Sequence, residues 1–200
     1  MSCFGSSAIS AAKERYLQNK PEWTEDQKII VRNTWETILK NSSLSKFGDD
    51  VFVSFFEVDP DAKELFLFMR SRENPLESTD YKDHIHSFAK HLGMFIEVSD
   101  DDAKFEKMNR QLGRLHDSLF SIRITYSDND ARIHSKMNYH FEKSERSVAL
   151  AVKNGIGNEF NNDVDIAWIA FYRLCLYYIM DEIDICVNPP VIQRRSMLQC

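Results

Sequence analysis

A chain of 200 residues with 43% hydrophobic side chains, including 14 Phe, is long enough to bury one substantial core and too apolar to stay disordered. A formal charge of −6 argues against a nucleic-acid partner, whose phosphates select a basic face. Four cysteines without CxxC spacing (Cys3, Cys175, Cys186 and Cys200) set aside a disulfide scaffold, and no apolar run approaches the roughly 20 residues of a membrane span.

These features predict a soluble protein of a reducing, cytoplasmic compartment with no transmembrane segment. Ser2 removes the N-myristoylation signal and the terminal MLQC is not a prenylation box, which leaves acylation of Cys3, beside the few basic residues Lys13 and Arg15, as the one lipid attachment on offer. Hairpin signals are absent while 3.6-residue periodicity recurs, so the chain reads as all-α.

The first helix opens at Thr24, where TEDQ makes a capping box, and closes near the polar NSS at 41–43, with Ile29, Val31, Trp35 and Ile38 on its inner side. A second runs from about Lys46 through DDVFVSFFEV and is cut by Pro60; Phe52, Phe55 and Phe56 follow helical spacing, and DAKELFLFM makes a short turn and an apolar corner. After the loop around Pro75 a third spans about Asp80 to Val98, with His84, Phe88, Leu92 and Phe95 inward. SDDDA caps a fourth whose inner residues are Phe105, Met108, Leu112, Leu115 and His116, and SIRITYSDND is irregular. A fifth runs from about Ala131 to Asn154 and ends at GIG, bringing Ile133, Met137, Phe141, Val148 and Ala151 together. The last, about Val164 to Ile185, is apolar on more than one side and reads as the centre of the core. Cys175 and Cys186 lie on one side of it, about 16 Å apart and beyond disulfide reach. Residues 1–22 and 188–200 read as extensions flanking one domain at 23–187.

Six histidines carry the chemistry: His84, His86, His91, His116, His134 and His140. In QLGRLHDSLF, His116 lies four residues after Leu112 on an apolar face, where it is either a core imidazole satisfied by hydrogen bonds or a ligand for a shared group. His84 stands in the same relation to Phe88, so two helices offer two imidazoles to one phenylalanine-lined slot. His86 falls about 200° away around the helix and reads as a surface residue, as does His91. Zinc wants three or four clustered N or S ligands, which this spacing does not supply, whereas a porphyrin brings four and needs one or two axial ligands from the protein.

In order and spacing these segments resemble the globin family, most closely its neuroglobin-like, six-coordinate members of invertebrate neuronal type, over about residues 23–187. VFVSFFEVDPDAKELF looks like the second helix, proline-started turn and corner phenylalanine, Phe66; DHIHSF looks like the distal segment, with His84 and Phe88; LGRLH looks like the proximal segment, with His116. The resemblance implies a globin fold, a three-over-three helical sandwich with N- and C-terminal extensions, holding haem b. It makes His116 and His84 the metal residues and Phe52, Phe66, Phe88, Leu112, Leu115 and Phe141 the cofactor contacts, with Trp35 as the tryptophan of the first helix. Two departures stand out. The segment between the family's F and G helices is longer by roughly fifteen residues, leaving ITYSDNDARIHSK without a counterpart, and Ser87 stands where neuroglobins carry a basic residue near a haem propionate. Arg70, Arg72 and Lys82 are the alternative cations.

The resemblance implies two functions. In one, a bis-histidyl six-coordinate haem serves electron transfer or redox and gas sensing, with O2, CO or NO as ligands and a redox or signalling protein as partner. In the other, His84 stays off the iron and the protein binds, transports or stores O2 reversibly. Nitric oxide dioxygenation or nitrite reduction is a side chemistry that haem permits and no residue demands, so no catalytic residue is assigned. A homo-oligomer is compatible with the sequence.

Overall fold

The computed structural model describes residues 17–70, 74–124 and 137–183; Cys3, Arg72, residues 125–136 of the long segment with Ile133 and His134, Cys186, Cys200 and the tail at 188–200 lie outside them. Six long helices organise the described chain: α1 (Glu25–Asn41), α2 (Leu44–Val58), α3 (Thr79–Glu97), α4 (Asp102–Ile124), α5 (Met137–Ile156) and α6 (Asn162–Glu182). A 3-10 turn, Pro60–Leu65, and a short helical turn, Leu67–Arg70, form the corner between α2 and α3.

Polar caps set the helix starts. The Thr24 hydroxyl accepts the Gln27 N–H, and the Gln27 side chain accepts the Thr24 N–H at 2.9 Å, completing the capping box ahead of α1. Ser43, Ser78 and Asn161 accept first-turn N–H groups of α2, α3 and α6 in the same manner. Pro60 follows the last turn of α2 and starts the 3-10 turn, and Gly157, at φ 57°, ends α5 in a conformation that favours glycine.

Packing follows the apolar stripes. α6 is central, covered by α1, α4 and α5, while α2 crosses α5 and α3. Trp168 of α6 is fully buried and donates its ring N–H to the Thr34 hydroxyl of α1 at 2.8 Å; Trp35 packs edge-on to Phe47 with centroids 5.2 Å apart.

Three expectations are corrected. Ile29 is 50% exposed, because Val31, Trp35 and Ile38 form a stripe whose next member back is Lys28; its stem is buried and its ammonium reaches Glu25 at 2.7 Å. α4 continues helically to Ile124, through the start of the stretch expected to be irregular. Leu115 is 52% exposed rather than in the core: it stands at the mouth of the cavity described next.

Candidate functional site

A cavity of about 540 Å³ lies among α2, the corner, α3, α4, α5 and α6. Its walls bring together all eight residues singled out in sequence: His84, Phe88 and His116 with Phe52 and Phe66, and Leu112, Leu115 and Phe141. α3 and α4 pack against one another only sparsely, because the cavity runs between them.

His84 sits in an aromatic box. The rings of Phe52 and Phe66 meet its imidazole edge-on at 5.1 and 5.3 Å, and Phe68 lies tilted at 5.7 Å. Phe52 also meets Phe88 edge-on at 5.4 Å, so the wall around His84 is apolar and interlocked. Two contacts hold α3 there. Gly48 of α2 approaches the Ile85 backbone so closely that a Cβ would collide with it, and Tyr81 donates its hydroxyl to Asp49 at 2.8 Å. Burial and that carboxylate push the Tyr81 phenol well above its usual range, so it stays a donor.

His116 donates its Nδ1–H to the Leu112 carbonyl oxygen at 2.9 Å. A carbonyl only accepts, so the proton is on Nδ1 and the lone pair of the neutral ring on Nε2. Burial holds its imidazole below the usual histidine range, the hydrogen bond to Leu112 opposing and the charge of His91 adding to the effect. α4 is anchored below this residue: Gly113 lies against the Ile179 backbone of α6, Arg110 bridges Asp181 at 2.5 Å and Glu182 at 2.9 Å, and Arg114 reaches Glu182 at 2.9 Å.

Two further histidines line the cavity, and sequence reasoning missed both roles. His140 is buried, its Nδ1 2.5 Å from a buried Asp59 carboxylate oxygen at the end of α2. The signal was available: stepping back four residues at a time from Val148 passes through Ser144 to His140, all on one face. His91, read as a surface residue, is half-buried at the cavity wall. His86 does face outward, toward the Ser45 hydroxyl at 3.1 Å.

Among the described residues no cluster of three or more His, Cys, Asp and Glu side chains is arranged to hold a bare metal ion. A metal that brings its own equatorial donors needs no such cluster. The apolar walls, the half-exposed Leu115 at the mouth and a His116 ring whose Nδ1 proton is taken up by Leu112 all fit such a group.

Fold and site together define a helical protein with a slot for a flat, apolar metal complex between imidazole-bearing helices. The chain belongs to the globin family, whose model, described as Globin, matches residues 49–179. It is accordingly a haem-binding protein, with small gases such as O2 as the ligands the family implies. It is similar to an anaerobic nitrite reductase of Gossypium hirsutum, 24% identical over 165 residues that span 82% of this chain and 93% of that one. A second such protein, from Arabidopsis thaliana, is 27% identical over 75% of this chain and 87% of its own. The solved structure of a hexacoordinated heme protein from an anhydrobiotic tardigrade superposes with a TM-score of 0.63 at 14% identity, covering 80% of this chain and 94% of that one, and shares the fold. Among the described residues no helix is long and apolar enough to cross a membrane.

Proposed function

We propose that this chain is a bis-histidyl haem globin of neuroglobin-like, invertebrate neuronal type, holding haem b through His116 and His84 and acting in electron transfer or in redox and gas (O2, NO) sensing. The globin domain spans 23–187, with extensions at 1–22 and 188–200. The observation that carries the reading is that two imidazoles, from two helices with little direct packing between them, line one apolar slot. The likeness of DHIHSF and LGRLH to neuroglobin segments, and the hexacoordinated state named for the tardigrade protein, support it.

When bound, haem supplies a redox-active iron with four equatorial nitrogens. The protein does the rest. The Leu112 carbonyl fixes the tautomer and ring orientation of His116. Leu112, Leu115 and Phe141 provide apolar contact, while Phe52, Phe66 and Phe88 exclude water beside His84 and offer no hydrogen-bond donor of their own. His84 would hold the haem iron from within a box of three phenylalanine rings, so any movement of its imidazole would be passed to α3, where a redox or signalling partner could read it.

Absorption spectra of haem-loaded protein test this directly. Sharp low-spin bands in both oxidation states without added ligand are expected; His116→Ala loses haem at least tenfold faster, and His84→Leu raises the CO association rate tenfold or more. A five-coordinate ferrous spectrum would instead assign reversible O2 binding, transport or storage.

A further inference from the structure

The reading above leaves the His140–Asp59 pair with no task beyond packing. His140 Nδ1 lies 2.5 Å from an Asp59 carboxylate oxygen, with the histidine 2% and the aspartate 4% exposed. A carboxylate accepts, so Nδ1 carries a proton and Nε2 is the nitrogen at which the ring gains or loses its charge. One proton therefore decides whether the pair carries a net negative charge or none. His140 also lines the cavity, one residue before the haem contact Phe141. Little water reaches the pair, so a change of charge in the slot acts on it with weak screening.

The other ionisable groups around the slot are less suited to follow such a change. On α6, burial pushes the Tyr172 phenol and the Cys175 thiol up, so both keep their protons at neutral pH. The Ser144 hydroxyl donates to the Phe141 carbonyl oxygen at 2.6 Å, which makes Tyr172 the donor in its 3.1 Å bond to Ser144. On α3, Asp80 is exposed and His91 half-buried, where water screens them; His84 and His116 are the iron ligands of the reading above. Of the charged neighbours on α5, Lys143 is half-buried and Glu145 is paired with Arg173 at 2.8 Å. Glu57 at the end of α2 and Asp61, Lys63 and Glu64 of the corner are exposed, and α1 meets α5 at its far end, where Ile38 faces Gly155.

We propose that the His140–Asp59 pair is a proton site coupled to the haem, taking up one proton when the iron is reduced and releasing it on oxidation. The proposal rests on the haem reading above and deepens its electron-transfer and redox-sensing role. The electron comes from a one-electron reductant and the proton from water; an N–H bond forms at Nε2 of His140, and on oxidation the same bond breaks and the proton returns to water. Arrival of an electron lowers the charge of the slot by one and the proton restores it, so the apolar wall is spared an uncompensated charge. Because reduction binds a proton, raising the pH disfavours it, and the midpoint potential falls as pH rises.

The test is the midpoint potential of haem-loaded protein, measured electrochemically between about pH 5 and pH 8 in wild type, His140→Gln and Asp59→Asn, with circular dichroism to verify folding. The wild-type slope is expected to correspond to about half a proton per electron or more, and each variant to lose most of that uptake. A second measurement needs no variant: the infrared redox-difference spectrum of wild type carrying ring-labelled histidine is expected to show imidazole bands giving way to imidazolium bands on reduction. A haem-loaded wild type with a flat potential, variants that take up as many protons as wild type, or an infrared difference without imidazolium each overturns this proposal alone. A wild type that fails to take up haem contradicts the haem reading, and this proposal with it.

Discussion

At the scale of single residues, the pocket depends on which ring nitrogen carries the proton. In His116 a main-chain oxygen decides it, and burial holds the imidazole below the usual histidine range, which favours the neutral ring with its lone pair on Nε2. His140 shows the opposite use of an imidazole. Its bond to Asp59 joins the first turns of α5 to the end of α2, and both groups are buried, so neither can turn to water if the other is lost. Asp59→Ala is expected to cost roughly 3–5 kcal/mol, seen as a lower urea midpoint, because it removes the carboxylate bonded to a buried imidazole. Asp59→Asn keeps an acceptor and should cost much less; equal losses would contradict the assignment. Cys175, by contrast, is a buried free thiol pushed up by burial, and serves as packing.

At the scale of elements, the two histidine-bearing helices are held by different devices. α3 is seated by Gly48 and Tyr81, and α4 by Gly113 and a cluster of ion pairs to the end of α6. Burial alone would push the Glu182 carboxyl up, but hydrogen bonds from Arg114 and Arg110 outweigh it and hold it low. A carboxylate with a folded pKa below its unfolded value of about 4.3 stabilises the protein above that pH and ceases to as pH falls through the folded value. Acid titration of unfolding free energy should therefore show a shallower decline below about pH 4.3 in Glu182→Gln than in wild type, and an unchanged slope would contradict it. The caps, the Pro60 break and the apolar stripes were legible in the sequence because each is a local signal with a fixed spacing. The glycine contacts and the α4–α6 ion pairs were not, because they depend on which helices cross. His91 was misread for the same reason: periodicity gives its angle on α3, but only the position of α4 makes that angle part of a cavity wall.

At the scale of the whole molecule, the proposed haem would complete the core. A cavity of about 540 Å³ with largely apolar walls lies among six elements, and a flat group filling it would gain packing on both faces. A ligand bound only by the folded state stabilises by about 4 kcal/mol at a thousandfold excess over its dissociation constant. For a domain of this size that corresponds to a rise in thermal midpoint of roughly 8–16 °C, measurable by circular dichroism with and without haem. Equal midpoints would mean the cavity is not a haem site. The sandwich itself was readable from the order of segments, since proline, distal and proximal motifs recur at family spacing. The long segment after α4 lay beyond that method, having no counterpart to be read against.

The most direct measurement of the central claim is the absorption spectrum of haem-loaded wild type and His116→Ala in both oxidation states, with no ligand added. Two imidazoles on one iron predict low-spin, six-coordinate bands in the wild type and loss of bound haem in the variant. A wild type that fails to take up haem, or a His116→Ala variant that keeps it with an unchanged spectrum, would contradict the account.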